Sequence, residues 1–155
     1  MRKNKVHIVA LSKEINEILC HQKEIIQVSK DENYRPFLII LKLKYKGKKY
    51  MFALPLRSNI GNAPKETYFS LPNRKSTRSN RKHGLHYIKM FPIHNRYFRK
   101  YYFDDSVYGK FIVAYIEKYL CLIAKEAQLY LDNYANGKRY KYCVDIDDII
   151  EKLGL

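Results

Sequence analysis

Arg35, Arg57 and Ser58 flank one predicted hairpin and are residue types suited to chemistry on a phosphate. A guanidinium grips phosphate oxygens with paired donors. A hydroxyl beside it would orient either the phosphate or a ribose 2′-hydroxyl. RNA carries its own nucleophile, so a protein need only position that hydroxyl, move a proton and stabilise charge on phosphorus. For the proton, His83, His86 and His94 titrate in a suitable range. Lys49 or Lys89 with a lowered pKa would serve equally, and the sequence leaves the choice open. There is no Walker A loop, paired GxGxxG, HExxH or nucleophile-elbow pattern. Asp104-Asp105 and Asp145, Asp147, Asp148 read as helix starts, where carboxylates meet free N–H groups. A nuclease built from these residues is expected to use no metal ion and no cofactor.

The hairpin itself runs from Arg35 to Ser58. Its first half alternates, with Ile39, Leu41, Leu43 and Tyr45 on one face and Lys42 and Lys44 on the other, the period of a half-buried strand. Gly47, within Lys46-Gly47-Lys48, supplies the permissive backbone of a tight reversal. The return run places Tyr50, Phe52, Leu54 and Leu56 together. Pro55 cannot donate to a ladder, so the strand is expected to end or become an edge there. Pairing across the turn brings Arg35 near Arg57, Ser58 and Asn59. Pro36 holds Arg35 extended at the strand entrance.

The chain has 155 residues, enough for one domain with a buried core. Its 30 Lys and Arg exceed its 15 Asp and Glu, a net +15. That excess favours a polyanionic partner, nucleic acid before membrane. Fifteen tyrosines add stacking surfaces suited to RNA bases, although any single Tyr is better explained by packing at a core margin. Cys20, Cys121 and Cys143 have no CxxC spacing, so neither a zinc site nor a disulfide framework is supported. His7 and His21 lack partners at metal spacing. With no apolar leader and no spanning run, the chain is read as cytoplasmic.

Along the chain, Val6–Leu11 predicts a first strand. Ser12 predicts the cap of a helix of two to three turns through Ile15, Ile18 and Leu19. Glu66–Leu71 and Leu85–Ile93 predict further strands. Between them, Asn73–His83 carries Arg74, Lys75, Arg78, Arg81 and Lys82 with no acid. Such a run is usually a solvated loop, but in a +15 chain it suits phosphates. Candidate RNA contacts are therefore Asn59, Arg74, Lys75, Arg78, Arg81, Lys82, His83, His86, Tyr87 and Lys89. His94–Phe103 interleaves cations with aromatics and adds Arg96, Tyr97 and Arg99. Asp104-Asp105-Ser106 starts a long helix, with Phe111, Ile112, Tyr115, Ile116, Tyr119, Ile123, Ala127 and Tyr130 at helical steps. It stops at Asn136-Gly137. Lys138–Val144 predicts a last strand, and Asp145 or Asp147 the cap of a closing helix.

Two stretches resemble a known family. Arg35-Pro36-Phe37 with its strand, turn and Leu54-Pro55-Leu56-Arg57-Ser58 exit is one. Gly84-Leu85-His86-Tyr87-Ile88-Lys89-Met90-Phe91-Pro92-Ile93 is the other. Together, covering most of the chain with the helices in order, they look like the toxins of type III toxin–antitoxin systems, the ToxN/AbiQ family. The resemblance implies a single α+β domain over residues 1–155, with a twisted antiparallel sheet, Kid/MazF toxin-like, partly wrapped by helices. It implies a sequence-specific, metal-independent endoribonuclease that leaves a 2′,3′-cyclic phosphate, with phage defence by abortive infection and plasmid or chromosome maintenance both open as its role. It implies inhibition by a small antitoxin RNA of pseudoknot-type repeats, with toxin and RNA subunits alternating in the assembly. The family's active-site Ser falls on Ser58, with Arg57 where a Thr can stand, and its basic residue before the first long strand falls on Arg35. The chain departs from the pattern at Ile60, where a Lys often stands, and at Glu14, where a Tyr can stand. Charge and aromatics alone would equally suit a non-catalytic RNA-binding protein or a basic structural subunit such as a ribosome-associated protein.

Overall fold

The computed structural model describes residues 6–30, 33–75, 77–102 and 107–155. The predicted Asp104-Asp105-Ser106 helix start and Ser76 of the cationic loop lie outside the described residues.

The long hairpin is the centre of the fold. Its strands are β4 (Phe37–Tyr45) and β5 (Lys48–Ile60). Tyr45 pairs with Lys48 across a two-residue turn, where Lys46 and Gly47 have φ of +50° and +81°. Two successive positive φ values match the twist of the flanking strands, which is why a Gly serves here. Before the hairpin come β1 (Ile8–Leu11), α1 (Glu14–Ile18), β2 (Ser29–Lys30) and β3 (Asn33–Tyr34). After it come β6 (Tyr68–Leu71), β7 (Lys82–His86), β8 (Phe91–Ile93) and β9 (Phe98–Lys100). The chain closes with α2 (Val107–Ala135) and α3 (Ile146–Leu153). The main sheet has seven strands, ordered β6-β7-β5-β4-β1-β9, with β8 also on β5 and all pairs antiparallel. Strands β2 and β3 form a separate small ribbon.

Both faces of the hairpin are covered. On one, Leu38, Ile40, Phe52, Leu54 and Leu56 pack against Ile112, Ile116, Ile123, Ala127 and Tyr134 of α2. On the other, Phe37, Ile39, Ala53 and Phe91 pack with Ile15 of α1 and Ile149 and Leu153 of α3. The expected single apolar face is therefore corrected. A bulge between Ile40 and Leu43 resets the alternation and turns Leu41 out to 52% exposure.

Pro55 also behaves otherwise than expected, for β5 runs on to Ile60 as a central strand. Leu56 N–H donates to Pro36 O of the β4 side, so the nitrogen of Pro55 faces the opposite side. There β8 pairs only with Met51–Ala53 and β7 only from Leu56 onward, leaving a gap where no donor is needed. The predicted strand Leu85–Ile93 is accordingly two strands, separated by a 3-10 turn over Tyr87–Lys89. Helix α1 has only five residues; the chain beyond it is pinned by Asn16, whose Oδ1 accepts from Val28 N–H at 3.0 Å. Lys138–Val144 is not a strand: Tyr142 adopts φ +67°, and Val144 N–H donates to Ile88 O. Asp145 caps α3, its Oδ1 accepting from Asp148 N–H at 3.1 Å.

Gly84 of β7 lies between β5 and β6, opposite Arg57 and Ser70. A Cβ there would meet the Phe69 carbonyl oxygen at 2.6 Å and Ile60 Cδ1 at 3.2 Å. Backbone cannot swing aside like a side-chain tip. Gly84→Ala is expected to cost about 1–3 kcal/mol, the usual range for overpacking. Urea unfolding measures it, and an unchanged midpoint would refute this packing.

Candidate active site

Strand β5 carries the site at its far end, beyond the point where β4 begins. Phe37 pairs with Pro55, so the residues just before β4 meet those that follow Pro55. A cleft of about 310 Å³ opens here, lined by Gln27, Tyr34, Arg35, Ser58, Arg74 and Tyr101 among others. That volume sits at the lower end of the roughly 300–1,000 Å³ usual for ligand sites. Among the described residues no Asp or Glu lines it. Arg35 is anchored from three sides: its backbone N–H donates to Val28 O (2.9 Å), Nε to Gln27 O and Nη1 to Leu56 O (both 3.4 Å).

Ser58 follows Arg57 where the β5–β7 register shifts between Arg57 and Ile60, a bulge that breaks strict alternation. Ser58 lines the cleft; Arg57 reaches His86, its Nη1 donating to Nδ1 at 3.1 Å. Arg57 is still close enough for its charge to act on Arg35. Burial first, and then the Arg57 charge, lower the pKa of Arg35, while burial alone lowers that of Arg57. Neither guanidinium is ion-paired with a carboxylate among the described residues. Two partly desolvated cations without a counter-charge are costly unless an anion joins them.

The cationic loop is tied to this end of β5. Asn59 Oδ1 accepts from Arg78 N–H at 2.7 Å, and Thr77 Oγ1 accepts from Arg74 N–H at 2.9 Å. Arg74 stacks over the Tyr108 ring of α2, 5.4 Å from its centroid. The Tyr108 hydroxyl donates to Pro72 O and lies 2.8 Å from His83 Nδ1. Lys75, Arg78, Arg81 and Lys82 are exposed, with Lys82 Nζ donating to Tyr68 Oη. If they meet phosphates, neutralising Arg78, Arg81 and Lys82 together should flatten the slope of log affinity for a structured RNA against log salt. The expected change is about 0.7–0.9 per lost contact. An unchanged slope would leave the loop a solvated surface.

Other expected residues are placed inside the fold. Tyr87 is fully buried and donates to Glu126 Oε1 at 3.0 Å, which together with burial raises its pKa. Lys89 is ion-paired with Glu24 (2.7 Å) and donates to Tyr142 O. Tyr97 packs in the α1/α3-side core. These three are corrected from surface contacts to structural groups, and Lys89 is not free to act as a base. His83 is 2% exposed, with its Nδ1 2.9 Å from Pro72 O, and burial lowers its pKa. His86 is 4% exposed; burial, Arg57 and Lys89 hold its pKa at about 3. Neither histidine is placed to take a proton from a ligand in the cleft. His94, by contrast, is exposed and its Nδ1 accepts from Arg96 N–H. Arg96 and Arg99 are also exposed, their guanidiniums donating to Leu153 O and to Arg96 O and Phe98 O. Among the described residues no three His, Cys, Asp or Glu converge as a metal site. None of the described helices is long and apolar enough to cross a membrane.

Gln27, Tyr34 and Tyr101 were not anticipated. Tyr34 adjoins Arg35 in sequence and Tyr101 lies in the cation–aromatic run, so both carried a signal; Gln27, brought in by the loop after α1, carried none.

No family model and no curated protein matches the chain. Solved structures do. One is a toxin of a bacterial type III toxin–antitoxin system, selectively inhibited by a non-coding RNA pseudoknot. It matches with TM-score 0.73 and 16% identity over 97% of both chains. A second comes from a bacterial antiviral system regulated by a processed non-coding RNA, at TM-score 0.70 and 14% identity over 95% of this chain and 96% of that one. A third is AbiQ, a lactococcal anti-phage endoribonuclease of the type III class, at TM-score 0.72 and 13% identity over 97% of both chains. The fold, α+β around an antiparallel sheet, is thus shared with these type III toxin structures over 97% of the chain.

Proposed function

We propose that the protein is an endoribonuclease toxin of type III character, held inactive by direct binding of a small structured RNA. The observation that carries this is the convergence of cations and a hydroxyl in one cleft. The cleft gathers Arg35, Arg74 and Ser58 at the end of the central hairpin, on a fold shared with an endoribonuclease and an RNA-inhibited toxin.

The chemistry follows from the groups present. Arg35 and Arg74 hold the non-bridging oxygens of a phosphate, and Ser58 orients it or the neighbouring 2′-hydroxyl. The 2′-oxygen attacks phosphorus in line and gives up its proton to solvent water, while the bond to the 5′-oxygen breaks and that oxygen takes a proton from water. The products are a 2′,3′-cyclic phosphate and a 5′-hydroxyl. Arg57 adds a third guanidinium close enough to act on Arg35, strengthening the field that stabilises the extra charge on phosphorus. The reaction needs no metal. Messages in the cytoplasm are its targets, and arrest of a phage-infected cell is the setting that AbiQ's anti-phage character supports. The exposed cations of the loop suit the inhibitory RNA, and alternation of protein and RNA subunits would let each RNA cover a cleft.

Purified protein incubated with transcripts in excess EDTA tests this. Discrete cuts ending in cyclic phosphate support the reading. Salt-sensitive RNA binding without any cut would make the protein a non-catalytic RNA-binding protein instead.

A further inference from the structure

The contact between Arg57 and His86 has a chemistry of its own. Arg57 Nη1 lies 3.1 Å from His86 Nδ1. A guanidinium stays protonated in proteins, so Nδ1 is the acceptor and the imidazole carries its proton on Nε2. That Nε2 is buried and has no partner among the described residues. An unpaired buried donor is unfavourable, so the tautomer is selected by Arg57 and not by Nε2. The charged groups that act on His86 are Arg57 and Lys89, both cations. A carboxylate in the same place would grip Arg57 more strongly but cancel its charge. A neutral imidazole fixes the guanidinium and leaves the full positive charge for a phosphate. The strands are built for this contact: Arg57 pairs with Gly84, and His86 lies two residues further along β7, on the same face.

We propose that His86 is a positioning residue, a neutral acceptor that fixes the Arg57 guanidinium within electrostatic reach of Arg35 and the RNA phosphate it holds, without neutralising it. This role rests on the ribonuclease reading above.

Single-turnover and steady-state cleavage by four variants tests it. His86→Leu removes the acceptor, and kcat is expected to fall by about ten- to a hundredfold with KM little changed. His86→Asn offers Oδ1 close to the place of Nδ1 and is expected to restore most of the loss. Arg57→Ala and Arg57→Ala/His86→Leu should be equally slow, because the histidine acts through the arginine. Nitrogen-15 spectra of the imidazole should show Nε2 protonated and Nδ1 bare, unchanged from pH 8 to well below 6. Losses that add in the double variant, no rescue by Asn, or titration of His86 near its ordinary pKa would each overturn the role. If His86→Leu fails to fold, rescue by Asn and the spectra decide. Wild-type protein that cuts no RNA would sink the ribonuclease reading and this role together; wild-type cleavage with additive losses would sink only the role of His86.

Discussion

Ser58→Ala is expected to slow RNA cleavage by about 10²–10³-fold, the usual loss when one donor to a developing oxyanion is removed. Expression of the wild-type chain should arrest growth, and the variant should relieve the arrest. The fold should survive, because Ser58 is partly exposed at the cleft and belongs to neither core cluster. Substitutions of that kind usually change stability by no more than about 0.5 kcal/mol. Arg35→Ala should cost at least as much activity, and Arg35→Lys should rescue little. An ammonium cannot present a planar fork while also meeting the carbonyls of Gln27 and Leu56. Colony growth and single-turnover rates measure both. A folded Ser58→Ala protein of undiminished toxicity would remove the serine from the site.

The second large effect concerns the substrate. RNA with a deoxy or 2′-methoxy sugar on the 5′ side of the cut should not be cleaved at all, and DNA should be inert. The 2′-oxygen is the nucleophile, so its loss removes the reaction and does not merely slow it. The modified RNA keeps its phosphates and should still bind, competing with cleavable RNA. Ligand-free Arg35 and Arg57 are lowered in pKa but remain cationic, so binding should hold across neutral pH. Cutting at a deoxy-substituted site, or activity abolished by EDTA and restored by magnesium, would point to a nuclease of another class.

The hairpin was legible in the sequence because its signals are local. Alternation, a Lys-Gly reversal and a Pro each act within a few residues. The bulge at Ile40–Leu43 was not legible: its cause is packing on both faces of the strand, which periodicity over one strand cannot report. The path of β5 past Pro55 depended on a gap between two partner strands drawn from residues about thirty to forty positions further on. Tyr87, Lys89 and Tyr97 were misread for a related reason. Cation–aromatic composition suits an RNA surface, but it equally suits a core margin where Tyr finds Glu126 and Lys finds Glu24. The cationic loop was legible as composition, and its attachment through Asn59 was not.

The pairing of β1 with β9 has a kinetic consequence. Val9 meets Lys100, so the sheet closes only through contacts far apart in the chain, and such topologies fold slowly. The hairpin of β4 and β5 can form as soon as residue 60 leaves the ribosome. The cleft cannot, because Tyr101 lines it and Tyr108 holds Arg74. At about 5–20 residues per second, the stretch from residue 60 to Tyr108 takes on the order of 2–10 s to emerge. On the proposed reading, a ribonuclease made this way would stay harmless to the message that encodes it until residues well beyond the hairpin have emerged, and an inhibitory RNA would have that interval in which to find the exposed cationic loop.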